Sequence, residues 1–517
     1  MAQRRGSIRL RCERPLPPPE APPQTTLMDL PGKRECCWTA RAPETDYRAL
    51  GRSGASDVVV VGAGIVGLTT AYVLAAAGVP VTVVEARKIG RQVTGRSTAK
   101  VTSQHALIYR YLIRKRGKET AGLYADANAT AVRKIAEWAN VESIACDLEM
   151  KDAYAYTSRP ARRAAIDSEA EAARSLGLDA ESLDSAPLPF ATVGALRFRH
   201  QAQFNPTRYL IGLAAAVTAR GGRIFENTRV TGVKSGKRWR VTAGRHHLAA
   251  DHVVLATNLP IAGPIHFDQM TQPRSHVAMA FRASAEGILD GMFIDVDRPT
   301  HSLRMGQDAD GPLLIVLGAK FRTGQEGDVA ERFRQLESWV RSNVPAGAVA
   351  WRWVNEDYDT SDRIPYAGAV GRKAPGLYVA TGFNAWGISN GTAAGMTIAD
   401  QIRGRPSPWV QLYDPVRKAP KHFNRGGDSE SLVRRIEQIP PGEGGVIKRG
   451  KEKIAVWRSP SGKLQALSAS CTHMGCTVTW NNADLTWDCP CHGSMFAPDG
   501  TVIHGPATEA LPKKKLR

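Results

Sequence analysis

The sequence lacks any apolar run of the ~18 residues that a membrane-spanning helix requires, so its 517 residues predict no transmembrane anchor. Arg4 and Arg5 form an arginine pair near the start, but a proline-rich stretch follows them instead of the apolar segment of a twin-arginine signal. We therefore expect a cytoplasmic protein.

Acidic residues are in deficit, because 49 Asp and Glu against 69 Lys and Arg leave a formal net charge of +20. The basic residues are scattered, apart from the run Lys513–Lys515, and no nucleic-acid-binding motif accompanies them. Two interpretations stay open, an arginine-rich composition or a basic surface for an acidic partner. A nucleic-acid partner is not expected.

Cysteine is scarce and unevenly placed, since the chain has eight and none lies between Cys146 and Cys471. The later ones belong to two short motifs, Cys471-Thr-His473-Met-Gly-Cys476 and Cys489-Pro-Cys491-His492-Gly-Ser494. The first supplies Cys-x-His and the second Cys-x-x-His. Short Cys/His spacings are often structural zinc sites, but two thiolates with two imidazoles are also the ligands of a Rieske [2Fe–2S] cluster. The presence of both complete motifs favours the cluster.

In this interpretation Cys471 and Cys489 bind one iron, and His473 and His492 bind the second, exposed iron. The segment closely resembles Rieske proteins of the cytochrome bc type. That resemblance implies a disulfide between Cys476 and Cys491, a hydroxyl donor to the cluster at Ser494, and a shielding loop at 504–507.

Near the other end, residues 57–87 predict a βαβ unit: an apolar strand at 58–61, the glycines Gly62, Gly64 and Gly67, a helix, and a strand at 81–84 that ends at Glu85. The glycines permit a tight turn and a close approach of the backbone to a pyrophosphate, while the acid can accept hydrogen bonds from ribose hydroxyls. The helix N-terminus adds N–H donors for the phosphates. The unit predicts dinucleotide binding and does not by itself separate FAD from NAD.

Further motifs favour FAD: TGRSTAKVTSQH at 94–105, QAQFNPTRYL at 201–210, DRIPYAG at 362–368 and TGFNAWGISNGTAAG at 381–395. With the βαβ unit they resemble the D-amino-acid oxidase/glycine oxidase (DAO) family of FAD-dependent oxidoreductases, in particular its subgroup with a C-terminal Rieske domain. The resemblance covers about residues 36–510. It implies an α/β fold, with a Rossmann-like FAD-binding domain and an α+β substrate domain, followed by an all-β Rieske domain.

The resemblance also implies which residues hold FAD: Gly62, Gly64, Ile65, Val66, Gly67, Glu85, Ala86, Arg87, Arg96, Ser97, Thr98, Val230, Gly382, Asn384, Gly387 and Ile388. Some relatives attach the flavin covalently. The absence of cysteine between Cys146 and Cys471 argues against a thioether here and leaves His105 as a candidate.

The expected organisation has four parts: a disordered N-terminal extension at 1–36, the flavin region at 37–415, a linker at 416–434 and the Rieske domain at 435–517. Within the flavin region we assign FAD binding to about 55–110, 190–260 and 355–405. Substrate binding is assigned to about 111–190 and 261–354.

The resemblance implies oxidation of a C–N bond in a small-molecule amine or amino acid, with electrons leaving singly through the cluster to an external acceptor, a protein or a quinone-like compound. Lys100, His105, Arg363 and Tyr366 are the predicted catalytic residues, with a surface or structural role as the alternative for each. Two other functions stay open, oxidation of a C–C or C–O bond in specialised biosynthesis and electron transfer without a small-molecule substrate. A Rieske oxygenase is disfavoured, because no motif of two histidines and a carboxylate for mononuclear iron is evident.

Overall fold

The computed structural model describes residues 30–325, 328–419 and 432–516. Its α-helices are α1 (Cys37–Ala40), α2 (Ile65–Ala76), α3 (Tyr109–Arg116), α4 (Lys118–Val141), α5 (Arg163–Arg174), α6 (Pro206–Ala219), α7 (Val329–Asn343), α8 (Gly387–Ile402) and α9 (Val410–Tyr413).

The strands of the flavin region are β1 (Lys33–Arg34), β2 (Gly54–Val61), β3 (Val81–Val84), β4 (Lys100–Val101), β5 (Glu149–Thr157), β6 (Ala180–Leu183), β7 (Gly194–Gln203), β8 (Arg223–Phe225), β9 (Gly232–Lys234), β10 (Trp239–Ala243), β11 (His246–Leu255), β12 (Thr271–Ala283), β13 (Met292–Asp295), β14 (Ser302–Asp308), β15 (Gly311–Leu317), β16 (Phe321–Arg322), β17 (Ala346–Thr360), β18 (Tyr366–Ala369) and β19 (Leu377–Thr381). Those of the C-terminal domain are β20 (Gly444–Arg449), β21 (Glu452–Arg458), β22 (Leu464–Ser468), β23 (Thr479–Asn481), β24 (Thr486–Asp488), β25 (Met495–Phe496) and β26 (Val502–His504).

The dinucleotide sheet has the order β18-β19-β11-β2-β3-β8, with β10 beside β11 and β9 beside β10. Strand β2 lies in parallel between β11 and β3, and its residues Val58, Val59 and Val60 are completely buried. A parallel strand covered on both faces requires such a continuous apolar run. Helix α2 follows directly and packs against α6 and α8, which covers one face of this sheet.

The large sheet has the order β1-β17-β12-β15-β14-β13-β5-β7-β4, with β16 beside β12 and β6 beside β7. Its longest pairing is the antiparallel ladder of β12 and β17. Helix α7 packs against both strands, and its first turn is capped by the Asp328 side chain, which accepts a hydrogen bond from the Glu331 N–H.

The division of the flavin region differs from the expected one at four elements. Strand β7, expected on the FAD side, pairs with β5 in the large sheet. Strand β4 and the end of β17, also expected on the FAD side, lie in the same sheet, where they pair with β7 and β12. Helix α4, expected on the substrate side, packs against α8 beside the dinucleotide sheet. Because the chain passes back and forth between the two sheets, the expected division into FAD-binding and substrate segments does not match the division into sheets.

The C-terminal domain contains two small antiparallel sheets, β20-β21-β22 and β23-β24-β25-β26. Its pairing begins before the expected boundary at 435, because Leu432 bridges Val446 in β20 and the Val433 N–H donates to the Val446 carbonyl. Most of the expected linker lies outside the described residues. The predicted fold class, α/β with an all-β C-terminal domain, is confirmed.

The expected N-terminal extension ended at 36, but its described part, residues 30–36, is packed. Strand β1 pairs with β17, Leu30 and Cys36 are buried, and the Cys36 thiol donates to the Gly95 carbonyl. Residues 1–29 lie outside the described part of the chain. Among the described helices, none has the length and apolar character to cross a membrane.

Candidate active site and cluster site

A cavity of about 390 Å³ lies at the carboxyl ends of β2, β3 and β11, between the two sheets and the C-terminal domain. We call the part lined by Val61–Val66 and Val84–Lys88 the dinucleotide end. The part lined by Lys100, His276, Ser302, Asn355 and Asp357 we call the sheet end.

Backbone geometry shapes the dinucleotide end. Gly62 has φ +106°, and a Cβ there would lie 2.5 Å from the Ala256 carbonyl oxygen. A Cβ on Gly67 would lie 1.9 Å from the Gly62 carbonyl oxygen. Both positions therefore require glycine, which brings the start of α2 close to the end of β2.

Glu85, the acid after β3, is held by the main chain. Its carboxylate accepts hydrogen bonds from the Ala63 N–H and the Arg87 N–H, each at 2.9 Å. Burial nevertheless raises the pKa of Glu85 above its ordinary value. The acid thus faces the glycine turn from the second strand, as the βαβ pattern predicted.

Most predicted FAD residues line the cavity: Gly62, Gly64, Ile65, Val66, Glu85, Ala86, Arg87, Ser97, Thr98, Val230, Asn384, Gly387 and Ile388. Gly67, Gly382 and Arg96 do not. Gly67 packs α2 against β2, and Gly382 forms a turn at φ +77° where a Cβ would lie 2.3 Å from Thr360 Cγ2.

Arg96 belongs to a domain contact instead of the cavity wall. Its Nε donates to the Val354 carbonyl at 2.9 Å, and its Nη2 lies 2.6 Å from Asp484 Oδ2 in the C-terminal domain. These two contacts, and its place outside the cavity wall, argue against contact of the Arg96 guanidinium with FAD.

At the sheet end, Lys100 is the one predicted catalytic residue that lines the cavity. Its Nζ donates to the Phe293 carbonyl and to the Ser302 hydroxyl. Burial, together with the charge of Arg304, lowers the pKa of Lys100 well below its ordinary value. These two hydrogen bonds hold the Lys100 amine in a fixed position at the cavity wall.

The other predicted catalytic residues lie elsewhere. His105 is buried behind the wall, where its ring bonds Tyr124 and Ser389 and stacks on Trp386 at 4.6 Å between centroids. The Arg363 guanidinium lies over the Tyr111 ring at 4.3 Å on an exposed turn. These placements argue against substrate contact by His105 and Arg363, and against flavin attachment at His105.

Tyr366 is fully buried in β18 and does not line the cavity. It packs against Phe267 and lies under the Arg417 guanidinium at 3.7 Å from the ring centroid. Asp362, in the same motif, pairs with Arg417 at 2.9 Å. The DRIPYAG motif thus has a packing role here, which corrects its assignment to catalysis.

Asp357 is a sheet-end residue that the sequence did not reveal. It lies near the end of β17, lines the cavity, and accepts a hydrogen bond from the Ala385 N–H. Burial raises the pKa of Asp357 to about 7. An acid with this pKa can exchange a proton near neutral pH.

The four predicted cluster ligands come together on two loops of the C-terminal domain. The first loop, 471–476, closes through the Cys471 N–H to the Cys476 carbonyl, and the second, 489–494, through the Cys489 N–H to the Ser494 carbonyl, each at 2.8 Å. The His473 and His492 rings lie 5.0 Å apart. The Cys476 and Cys491 Sγ atoms are joined at 2.00 Å, the disulfide that ties the two loops together.

The thiols of Cys471 and Cys489 lie within hydrogen-bonding distance of each other. The bonds from Cys489 and, more weakly, from the Ser494 hydroxyl help to lower the pKa of Cys471 to about 7. Ser494 also accepts a hydrogen bond from the Ala507 N–H at 2.9 Å. The second loop is thereby fastened to the loop that follows β26.

The histidine side of these loops faces the flavin region. His492 Nε2 lies 3.5 Å from Asp268 Oδ2, and the Tyr358 hydroxyl donates to the His492 carbonyl at 2.9 Å. A Cβ on Gly493 would lie 2.0 Å from Glu356 Oε1, so the loop fits closely against β17. The His492 side chain is only 13% exposed in this arrangement.

Comparison with known proteins agrees with this geometry. A family model described as FAD dependent oxidoreductase (DAO) matches residues 57–401, and the Rieske [2Fe-2S] domain model matches residues 429–515. The chain belongs to the DAO family of FAD-dependent oxidoreductases and ends in a Rieske domain.

Relatives of this DAO–Rieske protein include the putative Rieske 2Fe-2S iron-sulfur protein YhfW of Bacillus subtilis, 31% identical over 92% of this chain and 97% of that protein. The Rieske end is 37% identical to the cytochrome b6-f complex iron-sulfur subunit of Chlorobaculum tepidum over 21% of this chain and 56% of that protein.

Solved structures share the fold of the flavin region. The L-proline dehydrogenase of P. horikoshii superimposes with a TM-score of 0.60 at 20% identity, over 70% of this chain and 97% of that one. The glycine oxidase of Geobacillus kaustophilus superimposes with a TM-score of 0.59 at 19% identity, over 71% of this chain and 100% of that one.

The cavity of the DAO–Rieske protein fits FAD. Three of its lining residues carry buried polar atoms that lack a hydrogen-bond partner among the described residues: Asn258 Nδ2, Asn355 Oδ1 and His504 Nε2. Buried polar atoms are normally satisfied, so these atoms indicate a polar ligand along the cavity. The two thiols and two imidazoles likewise fit a Rieske cluster, and the His473 Nδ1 is also buried without a partner among the described residues.

Sequence reasoning missed several lining residues: His276, Lys320, Asn355, Asp357, Asn258 and His504. Except for Asn258 and His504, they come from β12, β17 and the turn after β15, which carry no local motif. For His504 the only signal was its place in the loop that resembles the Rieske shielding loop.

Proposed function

We propose that the protein oxidises a C–N bond of an amine or amino acid and delivers the electrons, through its Rieske domain, to an external acceptor. The observation that carries this proposal is that the wall of one cavity includes the dinucleotide motif, the sheet-end side chains and residues 503–505, 507 and 508 of the Rieske domain. When bound, FAD accepts a hydride from carbon and a Rieske cluster accepts single electrons.

The sheet end can take an amine because it offers buried polar groups from three strands. Asn355 and Asp357 extend from β17, His276 from β12, and Ser302 from β14. An amine must lose its ammonium proton before its C–H bond can be oxidised. Asp357, with its pKa raised to about 7, is placed to accept that proton.

Hydrogen bonds within the protein fix two side chains of the sheet end. Lys100 is held by Phe293 and Ser302, and the Asp357 carboxylate is held by the Ala385 N–H at the turn before α8. Side chains locked in this way place a substrate at a defined distance from the cofactor and supply much of the rate of such a reaction.

The external acceptor is proposed to approach the first cluster loop. The second loop is covered by β17, whereas Met474 in the first loop is 58% exposed and Gly475 is also exposed. This face lies next to His473, one of the two predicted histidine ligands. A protein or quinone-like acceptor can contact it without displacing the flavin region.

The test is an anaerobic titration of the purified protein with a panel of amines, amino acids and matched 2-hydroxy acids. Flavin absorbance and the electron paramagnetic resonance (EPR) signal of the reduced cluster are recorded together. An amine that bleaches the flavin and produces the cluster signal supports the proposal. Two outcomes overturn the C–N assignment. In the first, only a hydroxy acid reduces the flavin; in the second, dithionite reduces it and no member of the panel does.

A further inference from the structure

Strand β26 and the loop after it, in the Rieske domain, form part of the wall of the FAD cavity. The lining residues from this segment are Ile503, His504, Gly505, Ala507 and Thr508. Among them His504 carries the only ionisable side chain. It is 8% exposed, and its Nε2 has no hydrogen-bond partner among the described residues.

Two side chains of the flavin region hold this strand in place. Arg229 Nη2 donates to the Val502 carbonyl at 3.0 Å, and Gln92 Nε2 donates to the Ile503 carbonyl at 3.3 Å. Arg229 and Gln92 both line the cavity as well. The backbone on the N-terminal side of His504 is therefore fixed to the flavin region, so the imidazole is presented to the cavity in a set position.

The surroundings keep the imidazole neutral and indicate which part of the ligand it meets. Burial, together with the charges of Arg229 and Arg96, lowers the pKa of His504 to about 4. Arg229 in turn interacts with the charges of Glu85 and Arg87. His504 thus lies towards the dinucleotide end, where the ribose and phosphate oxygens of a dinucleotide are expected.

We propose that His504 is an FAD-binding residue contributed by the Rieske domain, with its Nε2 hydrogen-bonded to an oxygen of the adenosine diphosphate half of the cofactor. A buried nitrogen without a partner costs free energy, and a ligand oxygen at this place removes that cost. FAD is consequently bound across the domain boundary. The Rieske domain remains docked while the cofactor is bound.

The experiment measures the FAD dissociation constant of the cluster-containing protein, by fluorescence titration after the flavin is removed at moderate salt. His504→Ala is expected to weaken FAD binding about tenfold, the size of one lost buried hydrogen bond. His504→Gln, which keeps a side-chain N–H donor, is expected to restore most of the affinity. The EPR spectrum of the cluster is recorded for each variant and is expected to be unchanged.

Asn482→Ala is the matched control for domain docking. Asn482 joins the two domains through Asp328 and the Ala330 N–H, and it lies outside the cavity wall. Loss of affinity in His504→Ala with near-normal affinity in Asn482→Ala supports the proposal. Unchanged affinity in His504→Ala, or an equal loss in Asn482→Ala, overturns it, because the effect would then be absent or due to docking alone.

Discussion

The two cofactor sites of this protein are built in different ways. The cluster site comes from two loops, 471–476 and 489–494, that are close in the sequence and joined by a disulfide. The flavin cavity is assembled from segments between Val61 and Thr508, in both sheets and in the Rieske domain. The cluster site can therefore be changed by one substitution in its loops without changing the rest of the fold. The flavin cavity, in contrast, depends on how several helices, strands and the Rieske domain pack together.

The largest expected effect comes from removing the cluster, which tests whether the two sites are separable. Cys489→Ser deletes one ligand and is expected to abolish the cluster signal and to reduce electron delivery to an external acceptor to background. Reduction of the flavin by substrate is expected to persist, because Cys489 does not line the cavity. Single-turnover absorbance measures the first step and steady-state dye reduction the second. Loss of both steps together would contradict separability.

How much of each site was predictable follows from the same difference. The four cluster ligands follow from residue types at short spacing, as do the glycines and Glu85 of the dinucleotide end, whereas the disulfide follows from the resemblance to Rieske proteins. At the sheet end Lys100 was predicted, but Asp357, Asn355 and His276 were not, because they meet only through the pairing of β12 with β17. Arg363 and Tyr366 were placed in the active site for the same reason, since a sequence motif does not show its packing partners. Arg363 lies over Tyr111, and Tyr366 lies under Arg417.

The next effect concerns the backbone of the dinucleotide end. In Gly67→Ala the new Cβ would lie 1.9 Å from the Gly62 carbonyl oxygen, so α2 must move away from β2. We expect loss of bound FAD and a lower melting temperature, at a cost of roughly 1–3 kcal/mol or more for overpacking. Thermal unfolding and the flavin content of purified protein measure the two effects.

Gly122→Ala is the control for that substitution. Gly122 lies in helix α4 with open space around its Cβ position, so alanine is expected to be neutral or to stabilise the helix by up to about 1 kcal/mol. Equal destabilisation by the two substitutions would contradict the assignment of the Gly67→Ala effect to the contact with the Gly62 carbonyl oxygen.

A smaller effect is expected at the sheet end, where Asp357→Asn keeps the shape and removes the proton acceptor. We expect kcat/KM for an amine to fall by roughly a hundredfold, the lower range for acid–base catalysis. Since burial raises the pKa of Asp357 to about 7, the ionised form is lost as pH falls through about 7. We therefore expect kcat/KM of the wild-type protein to fall as the pH drops below about 7. The Asp357→Asn variant should lack this acidic decline in its pH profile.

The pH profile separates this role from simple packing. A variant that loses activity equally at every pH, with the same acid limb as the wild type, would assign the limb to the substrate or to another group and remove Asp357 as the base. FAD affinity is measured in parallel and is expected to stay close to the wild-type value, because the altered carboxylate lies at the sheet end.

The smallest effect is expected at Tyr366, which lies outside the wall of the flavin cavity. Tyr366→Phe removes only the hydroxyl, and the ring stays between Phe267 and the Arg417 guanidinium. Because Tyr366 lies outside the cavity wall, we expect kcat/KM to change by less than about twofold, within the range of a surface or packing change. Steady-state kinetics with the best amine of the panel measures it. A large loss of kcat at unchanged stability would return Tyr366 to the active site and show that the wall moves when substrate binds.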